Sequence, residues 1–406
     1  MTKQTSTKNS VVNQVEVVKE NLFELNRNLY DNPETKFEEF KAAKRLTGLL
    51  EKGGFEVERG IGGLDTAFRA IFPNFSSKGP TVALLAEYDA LPKLGHACAH
   101  NIIASSAVGA ALALKQIMPD LEGALQVIGT PGEEEGGGKV ILVKSGIFDS
   151  VDITMMVHPW NKTALAATSL ARVKVGIEFR GKPAHSFAHQ EQGINALAAT
   201  IQTFVAINAL REHLKHSKSM VHGIITHGGE SAITVPDYSS SMFFIMTPDI
   251  DYCREVFKKV KSCAEGTASM TGAEVSFNSY GELKELIPNQ ALAEVFGKNL
   301  EELGVEIDKR GLFEGILCAT DAGDVSHVVP TIQPYICLDK NLIWHTPEVA
   351  KASVSKEGRK VLVNSAKALA MTAIDLYANK DLLEKVKEEF RSKKANKRQK
   401  GKNDDL

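Results

Sequence analysis

Hydrophobic positions along the chain follow two rhythms. Phe37, Phe40, Ala43, Leu46, Leu49 and Leu50 recur at helical spacing, which predicts a helix over 36–51 stopped by Gly53-Gly54. Residues 81–86 form a short unbroken apolar run, the pattern of a buried strand. A small-residue helix is expected over 102–118, with strands over 124–128 and 153–157. Strands alternating with helices predict an α/β layer built on a largely parallel mixed sheet.

The middle of the chain has a different order. Strands are expected over 173–179, 221–226, 240–245 and 274–280, and helices over 195–215 and 251–271. That is β-α-β-β-α-β, the ferredoxin-like pattern, in a stretch long enough for its own core. After Pro288 the first rhythm resumes, with helices over 290–303 and 353–376. The expected organisation is one domain in two parts, 11–170 and 285–385, interrupted by an inserted unit over 171–284. A basic tail, expected to be flexible, occupies 386–406.

Composition narrows the class. The chain has 406 residues, 43% hydrophobic and 24% charged, ordinary for a globular enzyme of about two domains. Lys+Arg is 48 against Asp+Glu 50, so no global basic field attracts nucleic acid or an anionic membrane. Five sparse cysteines without a CxxC argue against a disulfide framework. Residues 1–10 are polar and lack the apolar core of a secretory signal, and no run suggests a membrane span. A cytoplasmic enzyme is the expectation. The one charge run is 391–402, where 7 of 12 residues are Lys or Arg. It reads first as a frayed, solvated end and second as an arm for an anionic partner.

The candidate chemistry collects where strands end. In an open α/β sheet, ligands bind beyond the carboxyl ends of the strands. The first strand leads into Glu87-Tyr88-Asp89 and then His96-Ala97-Cys98-Ala99-His100. The second leads into Glu133-Glu134-Glu135, the third into His158, and a late loop brings His345. Thiolate, imidazole and carboxylate are the ligands of zinc and similar metals. Each residue also has a plainer reading. Cys98 alone would be a small buried hydrophobe, the three glutamates a solvated turn, and His158 a satisfied core histidine. Their shared place at strand ends favours a metal site. Glycines at 132, 136, 137 and 138 suggest close backbone approach around the glutamates. His213 and His216 read as surface residues, and His222, His227 and His327 have no assigned role.

The stretches LLAEYDALPKLGHACAHNIIASSAVGAALALK, GTPGEEEGGGKV, MMVHP, AHSFAHQEQGINAL and TDAGDVSHVVP carry a family resemblance. The chain resembles the co-catalytic metallopeptidases of the aminoacylase and carboxypeptidase type, in their amidohydrolase branch. The match is nearest the subgroup of β-alanyl-lysine dipeptidase and p-aminobenzoyl-glutamate hydrolase B subunits. It runs from about Asn32 to Leu376. The resemblance implies a zinc-peptidase-like catalytic domain, with the inserted unit as a lid and dimerisation domain. It implies Cys98, His100, Glu134, His158 and His345 as ligands of two divalent metal ions. Zinc is expected, with manganese or cobalt as alternatives. Glu133 matches the general base, and Asp89 the aspartate that orients a ligand histidine. His185 matches a histidine that reaches the neighbouring subunit's site to stabilise the oxyanion, which implies a homodimer. The implied activity is hydrolysis of the amide bond in a small N-acyl amino acid or dipeptide by metal-activated water.

Departures from the family pattern qualify the substrate. Ala99 replaces a glycine between the ligand cysteine and histidine, and Glu135 another glycine. The triple glutamate leaves open a one-residue shift between Glu133 and Glu134 as base. Ile233 and Met246 stand where relatives hold a substrate carboxylate with asparagine and arginine, so the bidentate partner is missing. A non-peptide amide or carbamate lacking a free α-carboxylate is therefore an alternative substrate, with His189, His227 or Arg180 holding another group. A non-catalytic metal-binding homologue is the third reading. Cys253, Cys263, Cys318 and Cys337 are expected to be packing residues.

Overall fold

The computed structural model describes residues 3–72, 79–134, 136–215, 218–308 and 318–403. Glu135 and His216 lie outside the described residues, as does the end of the basic tail. The chain divides into two compact units, the second being Ser169–Glu285 together with Cys318 and Ala319.

The first unit begins with α1 (Lys3–Asp31), α2 (Phe40–Lys52), β1 (Glu56–Arg59), β2 (Phe68–Ile71), β3 (Thr81–Glu87) and α3 (His100–Leu114). It continues with β4 (Ala124–Thr130), α4 (Gly138–Lys144), β5 (Ile153–Met155) and β6 (His158–Trp160). After the second unit come α7 (Gln290–Glu302), α8 (Ala322–Ser326), β11 (Thr331–Ile332) and β12 (Tyr335–Cys337). Then follow α9 (Pro347–Ser353), α10 (Lys356–Ala378) and α11 (Lys380–Asn403). The main sheet has the order β1-β2-β4-β3-β5-β11, and β12 pairs with β6 apart from it. The β4-β3-β5-β11 block is parallel and the β1-β2 edge antiparallel.

Both faces of this block are covered, which explains its sequence. β3 and β4 are buried at every position, so their runs are continuous rather than alternating. Helix α3 is buried along its whole length and carries mostly small and apolar residues, as suits a core helix. It packs against α1 and α10. Gly109 makes the approach possible, because a Cβ there would stand 2.5 Å from Leu22 Cδ1 and 3.3 Å from Ala366 Cβ. At the start of α2, the Glu34 carboxylate accepts from the free backbone N–H groups of Lys41 and Ala42.

The second unit contains β7 (Ala171–Arg180), α5 (Ala196–Arg211), β8 (Met220–His227), β9 (Tyr238–Thr247), α6 (Ile250–Thr271) and β10 (Glu274–Leu283). Its antiparallel sheet has the order β10-β7-β9-β8, the ferredoxin-like arrangement. Strand β9 alternates half-buried and buried positions along its length. Val175, Ile177, Phe179, Phe243, Ile245, Val256 and Val260 form a core of this unit's own. Asn195 and Asp249 cap α5 and α6 through their side-chain oxygens.

Two regions differ from the sequence expectation. Helix α1 is absent from it, although Val11, Val15, Leu22, Leu25 and Leu29 form its buried stripe. In the stretch after 385, where the sequence offers only a charge run, α11 continues to Asn403. The helix is anchored there: Val386 is fully buried, its carbonyl accepts from Asn289 Nδ2, and Glu389 accepts from the N–H groups of Gln290 and Ala291 at the start of α7.

Candidate metal centre

The parallel strands bring three loops to one edge. In the sheet register Glu87 of β3 pairs with Thr130 of β4, and Leu84 with Met155 of β5. The segments that follow these strands carry Asp89 to His100, Glu133 and Glu134, and His158, with His100 opening α3 and His158 opening β6. A fourth loop is tied on by the backbone N–H of His345, which donates to the carbonyl of Ala97 at 3.1 Å. His345 and Ala99 both adopt left-handed backbone, with φ of 62° and 60°. For Ala99 this is the conformation a glycine would take without strain.

The glycine loop is a close approach, as its composition suggests. Gly132 and Gly137 have positive φ, and a Cβ on Gly138 would stand 1.8 Å from the Pro131 carbonyl oxygen. No side chain fits there, and the turn presents Glu133 and Glu134 at the strand ends.

Donor atoms then gather into three groups, each within 4.8 Å: Cys98, His100 and His158; Cys98, Glu134 and His345; Glu87, His100 and Glu133. Cys98 Sγ is 3.6 Å from His158 Nε2, and Glu134 Oε2 is 3.6 Å from His345 Nε2. Asp89 lies behind His100. Its carbonyl oxygen is 2.9 Å and its Oδ1 3.2 Å from His100 Nδ1, while its Oδ2 accepts from the Glu134 N–H at 3.0 Å. One aspartate thus touches both the histidine and the glutamate loop. His158 directs Nδ1 at the Pro159 carbonyl, 2.6 Å away, leaving Nε2 for the cluster.

His185 is exposed in the second unit. Its Nδ1 accepts from the N–H groups of Phe187 and Ala188, so the exposed Nε2 carries the proton. Ile233, Met246, Arg180, His189 and His227 also lie in the second unit, with Ile233 exposed. His227 approaches Glu230 at 3.5 Å, and Arg180 stacks over Tyr238. His96 is buried but belongs to none of the donor groups, and burial pushes its pKa down to about 3. His213 is exposed, as read from the sequence.

The electrostatics favour a cation. Burial, then the Glu134 charge, raises the Cys98 thiol well above its usual range. Burial and the neighbouring Glu87 and Glu134 raise Glu133 in the same way. Burial pushes His158 down to about 4, so its ring is neutral and offers a lone pair. A thiol, imidazoles and crowded carboxylates are the donors a divalent metal requires, and a metal's charge would reverse the upward shifts of the thiol and the carboxyl. Glu134 Oε1 and His100 Nε2 are buried without a hydrogen-bond donor, so the residues present fit such an ion.

Sequence reasoning left Glu87 without a role and overlooked Lys139 and Asp321. Lys139 is completely buried; its Nζ is 2.5 Å from Glu87 Oε2 and 2.7 Å from Asp321 Oδ1. Asp321 Oδ2 accepts from the Lys139 N–H at 2.9 Å. One signal was available. A lysine in the first turn of a helix opposes the helix dipole and needs acidic partners.

Comparison with known proteins follows the same direction. The sequence profile of peptidase family M20/M25/M40 matches residues 83–368. The Xaa-Arg dipeptidase of Mus musculus is 35% identical over 400 residues, covering 95% of this chain and 92% of that protein. The B subunit of the p-aminobenzoyl-glutamate hydrolase of Escherichia coli (strain K12) is 28% identical, covering 89% of this chain and 90% of its own. Among solved structures, a Bacillus subtilis protein described as a dinuclear metal-binding peptidase of the M20 family superposes with a TM-score of 0.68. It is 20% identical and covers 89% of this chain and 99% of its own, a likeness of fold.

Proposed function

This chain belongs to peptidase family M20/M25/M40, a family of metallopeptidases and amidohydrolases, and on that premise we propose that it cleaves the amide bond of a small N-acyl amino acid or dipeptide, with Glu133 as general base. The observation that carries this reading is the convergence of Cys98, His100, His158, Glu134 and His345 beside Glu133. These five residues would hold two divalent ions, zinc first, with manganese or cobalt as alternatives. When bound, the ions supply the Lewis acidity that polarises the amide carbonyl and acidifies water.

The remaining work falls to the chain. Glu133 takes the proton from the attacking water and returns it to the leaving amine. Its position among buried carboxylates favours a proton-holding group, and its pKa would fall back towards working range with cations bound beside it. Asp89 holds His100 with Nδ1 protonated, which points the Nε2 lone pair into the centre. His185, supplied by a second copy, would donate its Nε2–H to the oxyanion as the tetrahedral centre forms.

A homodimer is the proposed assembly. Strand β8 is an edge strand whose Met220, Ile224 and Ile225 are exposed, and Ile201 and Val205 of α5 are exposed as well. An apolar sheet edge of this kind is suited to pairing with another edge. Among the described residues no helix is long and apolar enough to cross a membrane. A cytoplasmic location remains part of the proposal.

The leaving residue proposed is basic, in line with the name of the mouse relative. A second reading rests on Ile233 and Met246, which offer no charge to a substrate carboxylate. It gives the leaving side an amide, an ester or a non-peptide group. The test is a panel of Xaa-Arg and Xaa-Lys dipeptides, N-acyl amino acids and their amides, run before and after chelation. Chelator-sensitive cleavage of the dipeptides is expected. Preference for amides over free acids would favour the second reading, and no turnover with metals bound would favour a binding protein.

A further inference from the structure

Three buried polar atoms make no hydrogen bond: Glu87 Oε1, His100 Nε2 and Glu134 Oε1. His100 Nε2 is 3.0 Å from Glu87 Oε1 and 3.8 Å from Glu134 Oε1. The other ring nitrogen decides the tautomer. Nδ1 faces a carbonyl and a carboxylate oxygen, so it carries a proton and leaves Nε2 to face Glu87. Glu87 Oε1 and His100 Nε2 stand 3.0 Å apart with no hydrogen bond between them, an arrangement that an ion shared by the two atoms would satisfy.

The far side of Glu87 is already taken. Oε2 is held by Lys139, and Lys139 is held in turn by Asp321 through both its ammonium and its backbone N–H. Two carboxylates share one ammonium, so the triad keeps one negative charge. A buried charge without compensation is strongly unfavourable. The oxygen of the triad that faces His100 is Glu87 Oε1. Glu133 lies in the same group of donors as Glu87 and His100.

We propose that Glu87 is a further carboxylate ligand of the metal centre, and that Lys139 and Asp321 are positioning residues that aim it at the ion on His100. The proposal rests on the metal-centre reading above. Among the ligands already named, the cysteine and histidines are the softer donors, and Glu87 adds a hard oxygen beside His100.

The test is Zn2+ binding, read without reference to activity. Chelator-stripped wild type and Glu87→Gln are titrated with Zn2+ against a chromophoric competitor, and the unfolding of both apo forms is followed by circular dichroism. Wild type is expected to bind two equivalents. Glu87→Gln should keep one and bind the other about tenfold or more weakly. Lys139→Met should weaken the same equivalent, because Glu87 loses its aim. Wild-type affinity for both equivalents in Glu87→Gln would overturn the proposal and leave Glu87 as a structural partner of Lys139. Wild type that takes up no Zn2+ would overturn the metal-centre reading as well. Should Glu87→Gln fail to fold, Glu87→Asp keeps the charge for Lys139 but shortens the reach to His100. Unchanged Zn2+ affinity in that variant would equally overturn the proposal.

Discussion

At the scale of single residues, Glu39 offers a stability test separate from the metal ligands. It is fully buried, its Oε2 accepts from Thr66, and Oε1 has no donor. Burial, then the nearby Asp89 charge, raises its carboxyl to about 7. A raised folded pKa means the native state binds the proton more tightly than the unfolded chain. The group therefore costs nothing below about pH 4.5, and its penalty grows as pH rises towards 7. Glu39→Gln should match wild type at pH 4 and be the more stable at pH 8, by up to about 3 kcal/mol. Denaturant unfolding at the two pH values measures this; an equal difference at both would show that Glu39 is not the titrating group. The site itself was partly legible in the sequence. Cys98, His100, Glu134 and His158 follow strands that declare themselves by unbroken apolar runs. The Lys139–Asp321 pair was not legible, since its partners are 182 residues apart and neither lies in a pattern that names the other.

At the scale of elements, the glutamate loop depends on backbone space. Gly138→Ala would force a Cβ against the Pro131 carbonyl, which cannot move without moving Glu133 and Glu134. Metal affinity should fall about tenfold or more, as for other changes that misorient ligands, with a smaller loss of stability. Zinc titration and thermal unfolding of the same variant separate the two effects. In the core, Gly109→Leu should cost about 1–3 kcal/mol by overpacking α3 against α1 and α10. Urea unfolding reads that change directly. Most elements were legible because their period is strong: β3 and β4 as buried runs, and the β-α-β-β-α-β order of the second unit from alternating periods. Helix α1 was missed because its stripe is interleaved with β-branched and polar residues, and its burial comes from tertiary packing on α3. The helix at the C-terminal end has no strong period to announce it either; Val386 and Glu389 fasten its first part to distant residues.

At the scale of the whole molecule, the proposed dimer makes a prediction in trans. Ile224→Lys on the exposed edge of β8 should shift the protein towards monomer in light scattering and lower activity with it. If His185 acts on its partner's site, Glu133→Ala and His185→Ala should each be impaired alone. Mixed and re-associated, they should recover about a quarter of wild-type activity, because half of the dimers are hybrids with one complete site. No recovery would place His185 outside the reaction. The central claim is that this fold holds metal ions in order to let Glu133 hydrolyse an amide. Its most direct test is kcat for an Xaa-Arg dipeptide in wild type and Glu133→Gln, with bound metal quantified in the same samples. The account predicts equal metal content and a kcat lower by about 10²–10⁴. Full activity in Glu133→Gln with metal retained would contradict it.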